Sequence, residues 1–282
     1  MKNKFFWGSI ALTAMLSSSQ AALLFGVTTD NQLVSFDSAN PSNFLSSAAI
    51  SGLFGADGVT ADPSGAIVNM AARLGTEPGS VTFWGLDGNA NLYNIHLSGA
   101  TTLISSGFSP SGFSAGFSYD PFNDNLIYAG DNAENFSLSL NGVATANMNL
   151  TYAGGGTPSI FALGIDQAFG TAYALDATTD SLSMTIDPLF PSNGELTVVG
   201  GLGVDVASFG GMAIDEDGNV LAALSTDGNT SSLYSINKDT GAATEIGSFG
   251  AGVGMSTIVV PEPSACILTA IGALALLRRR RA

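Results

Sequence analysis

FGGMAIDEDGNVLAALSTDGNTSSLYSINKDTGAATEIG, residues Phe209 to Gly247, reads as four short β-strands. Met212 to Ile214, Val220 to Leu224, Leu233 to Ile236 and Ala243 to Ile246 are apolar or β-prone, and the gaps hold turn formers such as Asp217-Gly218-Asn219 and Asp239-Thr240-Gly241. The pattern recurs. Asp215-Glu216-Asp217-Gly218 has counterparts at Asp62-Pro63-Ser64-Gly65, Asp120-Pro121-Phe122-Asn123 and Asp166-Gln167-Ala168-Phe169-Gly170, with leading aspartates 58, 46 and 49 residues apart. Those intervals are within or near the period of propeller blades. Outer hairpin strands repeat five times, at Leu33 to Phe36, Leu92 to Ile95, Phe136 to Ser139, Leu182 to Thr185 and Leu233 to Ile236.

Five outer hairpins with four leading strands leave the first unit short of one strand. The missing one is expected at Val253 to Val260, where pairing with the N-terminal piece Leu23 to Ile50 would close a ring and cover two sheet edges. The fold class expected is therefore all-β: a five-bladed β-propeller with one blade shared between N- and C-terminal strands, flanked by an N-terminal signal helix and a short C-terminal hydrophobic helix. The blades are expected at 22–50 with 253–260, then 56–105, 112–151, 159–200 and 207–248. Residues 66–90 fit least well because a long loop interrupts them, which keeps a six-bladed ring or an irregular sandwich as alternatives. Composition agrees with a turn-rich compact body: 11% of residues are charged, 45% are hydrophobic and 35 are glycine, against the profile of a disordered acidic chain.

Both ends differ from this body. Residues 1–21 carry Lys2 and Lys4, an apolar run from Phe5 to Leu16, and small residues before Ala21, the pattern of a secretory signal cleaved after Ala21. Its apolar run is shorter than the roughly 20 residues that span a bilayer. At the other end Pro261, Glu262 and Pro263 precede an apolar segment, Ala265 to Leu277, and then Arg278, Arg279, Arg280 and Arg281. The arginines would hold that end at the cytoplasmic face. This divides the chain into a signal peptide (1–21), an ectodomain (22–260) and a tail (261–282).

The order of Pro-Glu-Pro, apolar helix and terminal basic cluster resembles the PEP-CTERM family of bacterial sorting signals. That resemblance implies a recognition motif at Pro261, Glu262 and Pro263 and a retention cluster at Arg278 to Arg281. It implies as partners a signal peptidase and an exosortase, a membrane-embedded cysteine protease, after transient insertion in the inner membrane. Localisation follows as the envelope surface or extracellular matrix of an exopolysaccharide-producing Gram-negative bacterium, with exopolysaccharide or another surface component as a further partner. The ectodomain in turn resembles an uncharacterised family of secreted propeller-like proteins through Thr28 to Asp37, Leu233 to Ile236 and Thr240-Gly241-Ala242, and no enzymatic role comes with that resemblance.

Charge narrows the partners. Of 8 basic residues only Arg73 and Lys238 lie between Ala22 and Val260, against 22 of the 23 acidic ones, a net charge near −20. Such a body repels nucleic acid and anionic lipid. The only cysteine, Cys266, lies in the tail, so the exported body has no disulfide. Histidine chemistry would have to use the single His96.

Carboxylates are the plentiful reactive groups. Asp215-Glu216-Asp217-Gly218-Asn219 suggests a calcium loop, but it lacks the distal glutamate of an EF-hand. Asp-Gly-Asn also suits a hairpin turn and recurs at Asp87 and Asp227. Asp62, Asp120, Asp166 and Asp215 stand at matching places in the repeat and are the candidates for an axial divalent metal, with turn capping as the competing reading. Trp84, Tyr119, Phe122 and Tyr152 are candidates for a sugar-stacking surface, with packing between blades as the commoner use of such rings. The function expected is a non-enzymatic structural, adhesive or ligand-binding surface propeller needing no cofactor. A secreted lactonase-like hydrolase with an axial divalent metal, calcium included, is the alternative.

Overall fold

Five sheets stand around one axis, each built on a four-stranded antiparallel meander with its inner strand against the axis. The computed structural model describes residues 21–74, 80–112, 114–166, 169–185 and 193–260. Blade 1 begins with β1 (Leu23–Thr28), β2 (Gln32–Asp37) and β3 (Asn40–Ala49). Blade 2 holds β4 (Ile67–Leu74), β5 (Val81–Asp87), β6 (Leu92–Ile95) and β7 (Thr101–Ser105), and blade 3 holds β8 (Ala115–Asp120), β9 (Asn125–Gly130), β10 (Asn135–Ser139) and β11 (Ala144–Ala146). The short β12 (Thr151–Tyr152) comes next. Blade 4 follows with β13 (Ile160–Ile165), β14 (Ala172–Asp176), β15 (Ser181–Thr185) and β16 (Glu195–Gly201). Blade 5 has β17 (Gly210–Ile214), β18 (Val220–Leu224), β19 (Ser232–Ile236) and β20 (Ala243–Ser248).

The last strand, β21 (Met255–Val259), pairs antiparallel with β1 and becomes the inner strand of blade 1. The ring is thus closed by the two ends of the body, as the missing fourth strand led us to expect. No helix occurs among the described residues. Two expected details need correction. Thr151, the last residue assigned from sequence to blade 3, pairs together with Tyr152 in parallel with β16 and gives blade 4 a fifth strand. Asp62, read as the leading position of blade 2, sits in the β3–β4 connection ahead of the inner strand, because that strand begins only at Ile67.

Each second strand is buried on both faces, and its alternation sorts side chains between two seams. In β9, Leu126 and Tyr128 join the cluster shared with blade 2, whereas Ile127 and Ala129 join the one shared with blade 4. In β18, Val220, Ala222 and Leu224 face blade 4 while Leu221 and Ala223 face blade 1. Five apolar clusters fill the five seams, and each fully buried Leu or Phe in them contributes roughly 1.5–3 kcal/mol. Core burial and strand pairing therefore hold the body without a disulfide.

Candidate functional site

The inner strands all start at one face of the ring, called the upper face, and end at the lower. At the axis they approach too closely for a channel. A Cβ on Gly116 of β8 would overlap the Cβ and backbone N of Leu163 in β13, and one on Gly211 of β17 would overlap the backbone of β21 at Thr257 and Ile258. The space among these strands admits no water. Below it lies a hole of about 30 Å³ bounded by Phe117, Ile165, Met212 and Val259.

Asp120, Asp166 and Asp215 lie at the ends of β8, β13 and β17, at the lower face, and Asp62 lies at the upper face. The repeat therefore does not bring the four together. Asp120 accepts hydrogen bonds from Phe122 N (2.8 Å) and Asn123 Nδ2 (2.7 Å). Asp215 accepts from Asp217 N (3.1 Å), Asn219 N (2.8 Å) and Asn219 Nδ2 (2.9 Å). Asp62 accepts from the Ser64 hydroxyl at 2.7 Å, and that bond holds its carboxyl below the ordinary carboxylate value. These three carboxylates tie their own turns. Asp166 instead faces Lys238, 3.4 Å away. Among the described residues no three His, Cys, Asp or Glu side chains are grouped to share an ion.

Arg73 and Lys238 are both engaged. Arg73 pairs with Asp124 at 2.8 Å and lies over the rings of Trp84 (5.4 Å) and Tyr119 (5.3 Å), a cation–π arrangement. Trp84 and Tyr119 stack at 5.7 Å inside the seam between blades 2 and 3, so both serve packing. Phe122 is exposed on the lower face, and Tyr152 is half-buried with its hydroxyl donating to Asp176. His96 is exposed, with Nε2 3.4 Å from the Thr102 hydroxyl. Ala21 is exposed two residues before β1, while Pro261, Glu262, Pro263 and Arg278 to Arg281 lie outside the described residues.

The upper face carries a device missing from the sequence reading. Asp87, Asp131 and Asp176 end or follow the second strands of blades 2, 3 and 4, and all three bond into nearby turns. Asp87 accepts from Asn89 N, Asn91 N, Asn91 Nδ2 and the Tyr93 hydroxyl, at 2.9, 2.9, 3.0 and 2.9 Å. Asp131 and Asp176 reach across to the backbone N of Ser114 (3.1 Å) and Ser159 (2.8 Å), just ahead of the inner strand of the same blade. Their spacing of 44 and 45 residues was the available signal.

Open space also lies at the upper face. A cavity of about 200 Å³ occupies the seam between blades 2 and 3, lined by Asn69, Leu86, Phe108, Pro110 and Tyr128 among others. A second, of about 170 Å³, lies toward the axis beside Phe161, Ser208 and Phe209. Val68, Asn69 and Ser114 line both, so the two form one trough. Its shape has local causes. The β4–β5 register shifts between Ile67 and Asn69, leaving Val68 bulged and 36% exposed. Phe108 is wedged edge-on against Tyr128 and Phe136, each at 5.2 Å between ring centroids.

Two largely buried residues of the trough carry polar side chains with no hydrogen-bond partner among the described residues. The Asn69 side chain, on a residue 8% exposed, lines both cavities. Tyr128, 4% exposed, lines the larger. Burial, reinforced by Glu134 and Asp131, pushes its phenol well above the ordinary tyrosine value.

Residues 32–259 match the family described as a domain of unknown function, DUF4394. The chain belongs to that family. The matched DUF4394 segment runs from the first residue of β2 to the last of β21, so it takes in the strand that closes the ring. No curated protein matches. Among solved structures, a protein of unknown function from Bacteroides thetaiotaomicron is similar at 17% identity over 79% of this chain and 57% of its own, with a TM-score of 0.46. This DUF4394 chain thus spans little more than half of that protein's length. A nidogen/laminin complex is similar at 12% identity over 85% of this chain and 98% of that one, TM-score 0.49. A catalytically inactive virginiamycin B lyase from Staphylococcus aureus, solved with quinupristin, is similar at 13% identity over 82% and 71%, TM-score 0.40.

Proposed function

We propose that this chain is an exported, non-catalytic propeller serving as a structural, adhesive or ligand-binding module at the cell surface or in the extracellular matrix. The filled axis is the observation that carries this reading. A propeller hydrolase of the kind weighed above needs carboxylates converging on an axial ion, whereas here glycine-mediated contact between inner strands takes up that space and the repeated aspartates are engaged at turns or with Lys238. The trough on the upper face remains as the place for recognition.

The tail gives the reading its address. Recognition of Pro261-Glu262-Pro263 by an exosortase-type enzyme, with Arg278 to Arg281 held at the cytoplasmic face, would release or attach a body already freed from residues 1–21 by signal peptidase. Mass spectrometry of surface material should then give a chain starting near Ala22 and ending near Pro263. Recovery of peptides containing Arg278 to Arg281 from that material would reject the sorting role. Elemental analysis of the purified protein, with calcium titration followed by melting, tests the chemistry: no bound metal and no calcium-dependent shift are expected, and a stoichiometric ion would restore the hydrolase.

A further inference from the structure

We propose that the trough over the seam between blades 2 and 3 is a binding site for one neutral, hydroxylated ring, a hexose or N-acetylhexosamine unit, with Asn69 and Tyr128 as its polar anchors. The proposal rests on reading the propeller as a binding module, and it can fail separately from that reading.

A polar side chain that lines open space and has no protein partner keeps its hydrogen-bonding capacity for whatever occupies that space. Asn69 and Tyr128 are both more than nine-tenths buried and lack partners among the described residues. The Tyr93 hydroxyl contrasts with them, since it donates to Asp87 and accepts from Phe54 N, both at 2.9 Å. An amide and a phenol each offer a donor and an acceptor, which suits vicinal hydroxyls.

The electrostatics remove the charged ligands. Both cations between Ala22 and Val260 are engaged elsewhere, Arg73 with Asp124 and Lys238 with Asp166, so neither is available to neutralise an anion in the trough. Asp131 and Glu134 bear on the Tyr128 phenol with negative charge, which further disfavours an anion. A cation finds little better: Asp87 already accepts four hydrogen bonds, and Glu134 takes the Ser111 backbone N (2.8 Å) and hydroxyl (2.6 Å). Size and apolar lining complete the case. The larger lobe of the trough, about 200 Å³, has room for one ring, and Asn69 and Tyr128 both line that lobe. Phe108 beside it and Phe209 toward the axis provide aromatic surface for the C–H face of a pyranose.

The test is saturation-transfer NMR on the full chain with free glucose, galactose, mannose and N-acetylglucosamine at millimolar concentration, and with glucuronate as the anionic arm. At least one neutral sugar should receive saturation. Its affinity should fall about tenfold in Asn69→Leu, the loss expected when a buried hydrogen bond to ligand is removed, and by a smaller factor in Tyr128→Phe. Glucuronate should bind more weakly than glucose. Neither variant deletes a hydrogen bond present in the free protein, so both should keep the parent melting temperature; if Asn69→Leu fails to fold, Tyr128→Phe decides. Silence from all four neutral sugars, unchanged affinity in the folded variants, or a preference for glucuronate would overturn the site. If such a result came with a tail cut near Pro263 and no bound metal, the surface-module reading would stand and only the sugar site would fall.

Discussion

The seam between blades 2 and 3 and the seam between blades 3 and 4 share a blade, yet they are filled by opposite means. The first is aromatic: Trp84, Phe108, Phe117, Tyr119 and Tyr128 lie in one cluster, with Arg73 over two of the rings. The second is built mainly from Ile, Leu and Ala, and there Gly116 lets β8 lie directly on Leu163 of β13. Small residues bring blades together and remove space. Large rings bury more area but hold the upper ends of the blades apart, and the trough is what they leave open. The same ring of strands is therefore closed where glycine sits and receptive where aromatics sit.

Removing a ring should break the first seam hardest. Trp84→Ala deletes a buried side chain stacked on Tyr119 at 5.7 Å and takes away one of the two faces that hold Arg73, and it should cost about 3–5 kcal/mol in urea unfolding. A loss below about 1 kcal/mol would mean that Tyr119 alone supports the seam. Gly116→Ala should break the second seam by the opposite route, overpacking, for about 1–3 kcal/mol, since the obstacle includes the Leu163 backbone and cannot rotate away. Gly88→Ala, at the trough rim, is its control. A Cβ there meets nothing within 4 Å, and the change should stay within about 0.5 kcal/mol. Equal effects from Gly116→Ala and Gly88→Ala would show that the axial contact is not tight.

Much of this was legible in the sequence, and what was missed has a physical pattern. Strand period and turn chemistry are local, so Val220 to Leu224 and the closing strand near Val253 to Val260 could be read directly. Asp62-Pro63-Ser64-Gly65 misled because an aspartate caps a turn in the same way at either face of the ring. Thr151 was placed in the wrong blade because the partner of β12, β16, lies more than forty residues on in another blade. The trough was invisible for a related reason. Nothing in residues 67–69 alone says that Val68 bulges, or that the Asn69 amide will find no partner once the blades close.

The seams also differ in how alkali should reach them. Burial, with Asp87 nearby, pushes the Tyr93 phenol up to about 12, and burial with Asp176 does the same for Tyr152 at the blade 4 edge. A phenol raised above its unfolded value of about 10 gives stability that is present below about pH 10 and lost as pH rises through about 12. The melting temperature should thus fall between those limits, with tyrosinate absorbance from these groups lagging the value for free tyrosine. A flat melting profile across that window would mean that neither phenol is protected.

The smallest expected effect sharpens the comparison most. Tyr93→Phe and Tyr128→Phe are the same deletion of one oxygen from a buried ring, in neighbouring seams. In the first, the Asp87 carboxylate loses a donor and Phe54 N loses its acceptor, so about 1–3 kcal/mol should be lost. In the second no partner among the described residues is stranded, and stability should stay within about 0.5 kcal/mol. The two urea midpoints decide it. Equal losses would place an ordered water on the Tyr128 hydroxyl, and a ligand would then have to displace that water before gaining anything from the contact.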